Sequence, residues 1–77
     1  LNVRGFRVEE TLDAVDKFID QAAIDDRSEV RILHGKGTGA LSSAIREFLR
    51  HHVLVKSTRF APQREGGTGV TVVEMAG

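Results

Sequence analysis

Apolar residues recur along this chain with two different periods, and the changes of period mark its elements. From Val8 they fall at Val8, Leu12, Val15, Ile19 and Ala22, with Phe18 and Ala23 widening the stripe. That spacing predicts an amphipathic helix of roughly four to five turns. Leu1-Asn2-Val3-Arg4 alternates apolar and polar and stops at Gly5, which predicts a short strand. Glu29-Val30-Arg31-Ile32 alternates in the same way and predicts a second. Helical spacing resumes from about Gly39 to His51, turning Leu41, Ala44, Ile45, Phe48 and Leu49 inward and Ser42, Ser43, Arg46, Glu47 and Arg50 outward. Val53 to Phe60 reads as an edge strand because Lys56, Ser57, Thr58 and Arg59 interrupt it, and Ala61 to Gly69 reads as a loop from its Pro and Gly. Val70 to Met75 is the most β-prone run and predicts a central strand.

The order strand-helix-strand-helix-strand-strand predicts an α/β two-layer βαβαββ sandwich. Right-handed crossovers stepping in one direction place both helices on one face. The expected sheet is four-stranded and mixed, in the order 1-2-4-3, with the last strand antiparallel.

Composition narrows the setting. With 77 residues and no starting Met, the chain is expected to be a single domain, residues 1–77, of a longer protein. A domain this size buries only about 60% of its unfolded surface and has one modest core. No run approaches the roughly 20 apolar residues of a membrane span, and no signal peptide opens the chain, so a soluble, cytoplasmic protein without membrane partners is expected. The lack of cysteine excludes disulfides, thiolate metal sites and a thiol nucleophile. Net charge is zero, yet four basic residues stand against eight acidic from Leu1 to Glu29, and seven basic against three acidic from Val30 to Gly77. Such asymmetry speaks to partners rather than to fold.

Candidate chemistry centres on His34-Gly35-Lys36-Gly37-Thr38-Gly39, between a predicted strand and a predicted helix. The first N–H groups of a helix lack intrahelical partners and carry partial positive charge, so this turn can hold an anion. Lys36 adds a full charge, Thr38 a cap or a donor, and His34 a side chain that titrates near neutrality. A Walker loop does not fit, because Lys36 comes too early and Gly37 follows it; a dinucleotide fingerprint fails because the spacing is G-x-G-x-G. At the same sheet edge the predicted topology places Arg4, Gly5 and Arg7, then Arg59 and the Pro62–Gly69 loop with Arg64, Gly67 and Thr68. His51 and His52 fall at the opposite edge, and Asp13, Asp16 and Asp20 form a solvated helix face. A phosphodiester suits such a cationic rim. With Phe18, Phe48 and Phe60 assigned to the core, only Phe6 is left to stack, so backbone rather than base recognition is expected.

Three segments together resemble the small MutS-related (Smr) domain, in particular its version at the C-terminus of bacterial MutS-like proteins that suppress recombination. Leu1-Asn2-Val3-Arg4-Gly5 is similar to that family's L-D-[LV]-[HR]-G motif, Leu33 to Gly39 to its L-H-G-x-G-x-G motif, and Gly66 to Val72 to its closing glycine loop and strand. The resemblance implies a βαβαββ sandwich, a domain that nicks DNA with little sequence preference, branched recombination intermediates included, and a parent chain with an ATPase module. Relatives that act on RNA or associate with ribosomes imply an alternative, a non-catalytic docking module. Asn2 stands where the motif carries Asp, a departure that bears on cleavage more than on phosphate binding.

The expected roles are therefore His34 as general acid or base with Arg4 and Lys36 neutralising the phosphate. Asn2, Arg7, Gly35, Gly37, Thr38, Gly39, Arg59, Arg64, Gly67 and Thr68 are the expected nucleic-acid contacts. No cofactor is evident; Mg²⁺ or Mn²⁺ are the candidates, and Glu9, Glu10 and Glu65 are the carboxylates near the rim.

Overall fold

The computed structural model describes residues 1–37 and 39–77. Its first helix, α1 (Val8–Ile24), starts at Arg7, whose backbone N–H donates to Glu10 Oε1 at 3.1 Å. The buried stripe is Thr11, Val15, Ile19 and Ala22, whereas Val8 and Ala23 are exposed. Thr11 goes inward because its hydroxyl donates to the Arg7 carbonyl at 2.8 Å and so carries no unmet polar group with it.

Three strands follow: β1 (Glu29–Leu33), β2 (Val55–Phe60) and β3 (Val70–Met75), with α2 (Ala40–Arg50) between the first two. Their order is β1-β3-β2, and both pairings are antiparallel. Val30 faces Val73 and Ile32 faces Thr71 across one pairing; Thr58 faces Val73 and Phe60 faces Thr71 across the other. Since side chains alternate along a strand, these residues share the face that meets the helices. Val15, Ile19 and Ala22 of α1 and Ile45 and Leu49 of α2 join Val3, Val30, Ile32, Val73 and Met75 in one core.

The other face of the sheet carries no helix but is not bare. Leu33, Ala61, Val70 and Val72 cluster there, and Val72 is fully buried. Over them lie ion pairs: Arg59 to Glu29 at 3.2 Å, Arg31 to Glu65 at 2.7 Å and Arg31 to Glu29 at 3.7 Å. The alkyl stems of such side chains can shield apolar surface while their heads stay wet.

The expected four-stranded mixed sheet in the order 1-2-4-3 is corrected to this three-stranded antiparallel one. Leu1–Val3 does run beside β1: Val3 N–H donates to Leu33 O at 2.9 Å and Leu33 N–H to Leu1 O at 2.7 Å. Yet it forms a single parallel bridge, Asn2 to Leu33, and no strand. Asn2 Oδ1 accepts the Arg4 N–H at 3.0 Å, Phe6 N–H turns back to Val3 O at 3.1 Å, and Gly5 takes φ +82°, so the extended run is over after Val3. β2 likewise starts at Val55 rather than Val53. His52 accepts the Leu54 N–H on Nδ1 and the Val55 N–H on its carbonyl, which holds that segment in a turn and leaves Val53 88% exposed. Ser42, expected outside, is buried because its hydroxyl donates to Gly39 O at 3.0 Å. No helix among the described residues is long and apolar enough to cross a membrane.

Candidate nucleic-acid interface

The register fixes what meets at one end of the sheet. Leu33, the last residue of β1, pairs with Val70, the first of β3, and Phe60 ends β2 beside Thr71. The turn into α2, the loop after β2 and the Asn2 bridge therefore share one edge. There the N–H groups of His34 and Gly35 both donate to the Gly69 carbonyl, at 3.0 and 2.9 Å. Gly69 comes so close that a β-carbon on it would stand 3.4 Å from Gly35 C and from Lys36 Cγ. Arg4 packs on the other side of the same bend, its Cγ 3.4 Å from where a Gly35 β-carbon would be.

Arg4, Gly35, Lys36 and Gly69 thus form one continuous patch. Asn2 Oδ1 steadies it by accepting both the N–H and, at 3.4 Å, the Nε–H of Arg4. Lys36 is exposed and makes no ion pair among the described residues. Beside the patch Gly35, Lys36, Gly37 and Gly39 line a cavity of about 270 Å³ with Phe6 and the first turn of α2, whose N-cap Gly39 supplies no side-chain cap. Thr38 lies outside the described residues.

His34 sits beneath the patch rather than on it. It is 5% exposed, and both ring nitrogens are engaged: Nδ1 lies 2.9 Å from Gly35 O and Nε2 2.8 Å from Thr71 Oγ1. A carbonyl can only accept, so Nδ1 carries the proton of the neutral ring and Nε2 accepts from the Thr71 hydroxyl. This arrangement fits a residue that fixes the glycine bend. Thr71 was not anticipated; its one signal in the sequence is a polar residue inside an otherwise apolar run. Thr71→Val leaves Nε2 buried without a partner and is expected to cost about 1–2 kcal/mol, a fall in Tm of roughly 5–15 °C by circular dichroism.

The remaining expected contacts divide. Arg7 is the N-cap of α1, two residues beyond the Gly5 turn. Gly67, Thr68 and Gly69 form a 3₁₀ turn, with Gly67 N–H tied to Pro62 O at 3.0 Å and Thr68 exposed. Arg64 is exposed on the preceding 3₁₀ turn, Gln63–Glu65. Arg59 is not part of the patch. Its register partner is Val72, on the helix-free face, and its guanidinium reaches Glu29 at the far end of the sheet.

Two of the three carboxylates near the rim are already engaged. Glu10 is engaged with the α1 N-terminus and Glu65 with Arg31 at 2.7 Å. Asp16, Asp20 and His52 do converge, with ligand atoms within 4.8 Å of one another, but at the opposite edge. There His52 Nδ1 accepts the Leu54 N–H at 3.2 Å, so Nε2 holds the ring proton and donates to Asp16 Oδ1 at 3.2 Å. A metal-bound histidine needs the reverse, a donor on its second nitrogen. Nearby, Arg50 donates to Glu47 at 3.0 Å, and that hydrogen bond and charge, with help from His51, hold the Glu47 carboxyl below the ordinary glutamate range.

The chain resembles known proteins over nearly its whole length. The chain is 54% identical over 74 residues to Endonuclease MutS2 of Enterococcus faecalis, a match covering 96% of this chain and 9% of that protein. To Endonuclease MutS2 of Geobacillus thermodenitrificans it is 51% identical over 75 residues, 97% of this chain and 10% of that protein. It therefore spans about a tenth of the length of these curated relatives. The crystal structure of the Smr domain of Thermus thermophilus MutS2 superposes with a TM-score of 0.98 at 48% identity, covering all of this chain and 96% of that one. YdaL, a stand-alone small MutS-related protein from Escherichia coli, superposes at 0.93 with 30% identity, covering all of this chain and 63% of that one. The Smr domain model matches residues 1–76, and the chain accordingly belongs to the Smr domain family.

Proposed function

We propose that this domain binds the sugar-phosphate backbone of nucleic acid and nicks it, hydrolysing a phosphodiester with little regard to base sequence. The observation that carries the reading is the convergence of Arg4 and Lys36 on the Gly35–Gly69 contact. Two cations at a glycine turn, beside the start of a helix, are what a phosphate needs as negative charge builds on it. In the reaction water adds to phosphorus, one ester P–O bond breaks, and a hydroxyl and a phosphate monoester remain. Arg4 and Lys36 neutralise the reacting group, Asn2 orients Arg4, and His34 positions the loop. Supporting this reading, MutS2 relatives matched over nearly this whole chain carry the name endonuclease.

A second reading is favoured by two of the same observations. With both His34 nitrogens engaged and Glu65 paired to Arg31, neither of these two groups is an unoccupied general base. The domain would then dock a larger protein, one bearing an ATPase module, on DNA, RNA or the ribosome without cutting. Conversion of supercoiled plasmid to open circles by this chain, assayed with and without Mg²⁺ or Mn²⁺, separates the two. Nicked product is expected; salt-sensitive binding without product would establish docking.

A further inference from the structure

Phe6 is out of place for a phenylalanine in so small a domain. It is 41% exposed, while Phe18, Phe48 and Phe60 are at least half-buried, and it belongs to neither apolar cluster. Nor does it make a ring contact among the described residues. The backbone nevertheless holds it firmly, through the Val3 carbonyl on one side and the start of α1 on the other. It lines the same cavity as Gly35, Lys36, Gly37 and Leu41.

An exposed aromatic ring next to a phosphate seat has a specific use. The cavity of about 270 Å³ opens between Phe6 and the glycine turn, so a flat ring entering it would lie against Phe6. In a closed duplex the base faces are covered by their neighbours; an unpaired base offers a face to an aromatic side chain whatever its identity. We propose that Phe6 is a stacking platform for an unpaired base next to the phosphate held by Arg4 and Lys36, so that a base-bearing single strand is held more tightly here than a closed duplex. This rests on the phosphate-binding reading above and adds a contact residue to the same site.

The chain contains no Trp and no Tyr, so Phe6→Trp supplies a single fluorophore at the platform. The variant is titrated with a short single-stranded oligonucleotide, with the same strand paired to its full complement in a blunt duplex, and with the single strand made abasic. Tryptophan emission should be quenched by the base-bearing single strand and not by the other two. Phe6→Ala should bind the single strand about tenfold more weakly than the parent while holding the duplex as the parent does. Phe6→Leu, which keeps apolar bulk without a π face, should behave like Phe6→Ala. Equal losses for single strand and duplex, or full affinity for the abasic strand, would overturn the proposal and leave the phosphate reading standing. If Lys36→Ala changes binding to none of the three, the phosphate reading fails, and the platform proposal with it.

Discussion

Lys36→Ala should slow plasmid nicking about a hundredfold or more. Losing one preorganised charge-stabilising donor from a reacting oxyanion commonly costs that much. The side chain is exposed and free of ion pairs among the described residues, so the melting temperature should stay where it is. Equilibrium binding offers a second readout: each lost phosphate contact lowers the slope of log K against log salt by about one. Arg4→Ala should act similarly, but its stem also packs on Gly35 and its guanidinium meets Asn2, so part of its effect will appear as a looser turn. Combining the two should give less than the product of the single effects, because both act on one phosphate. Unchanged nicking together with an unchanged salt slope would remove Lys36 from the site. A reduced slope in a protein that never nicks would favour docking.

Gly66→Ala should be the most damaging single-atom-scale change to stability at this end of the molecule. Gly66 has φ +117°, and a β-carbon on it would stand 2.5 Å from Val70 Cγ2 and 3.3 Å from Val70 Cβ. Backbone strain of this kind costs of order 1–3 kcal/mol, and the collision adds to it. A total near 3 kcal/mol would lower Tm by roughly 12–24 °C in a domain of this size. The double variant with Val70→Ala separates the causes: relief of the collision appears as a coupling between the two sites, whereas the φ strain persists. Because Gly66 leads into the turn that carries Gly69 onto Gly35, nicking should fall even well below the new Tm. A Tm within a few degrees of the parent would show that the loop relaxes at little cost.

Local pattern carried the helices well. The period running through Val15, Ile19 and Ala22 located α1, and Ile45 with Leu49 located α2. It erred where one hydrogen bond decides the outcome: Thr11 and Ser42 bury because a carbonyl in their own helix start takes the hydroxyl, which hydropathy does not register. It also erred at Leu1–Arg4, where alternation predicted a strand but the Asn2 side chain closes a turn after Val3. At the candidate site, glycine spacing and nearby cations single out Arg4, Lys36 and the Gly35 bend, which the structure brings side by side. What could not be read locally was the distant partner. Thr71 lies 37 positions from His34, and only the register of β1 with β3 brings them together. Arg59 answers to Glu29, 30 positions away, for the same reason, and so leaves the rim.

The parallel bridge at Asn2 has a bearing on how these molecules behave in a crowd. Its flanking hydrogen bonds occupy Leu33, and the Leu1 nitrogen reaches Arg31 O at 3.2 Å, so the outer margin of β1 is already spoken for. A margin of unpaired amides invites strand pairing with a neighbouring molecule and growth toward cross-β fibrils. Here the opposite margin, β2, breaks its register between Val55 and Ser57 and carries Lys56 and Arg59. Three residues that never become a strand thus act as a selvedge, keeping one copy of the sheet from knitting into the next.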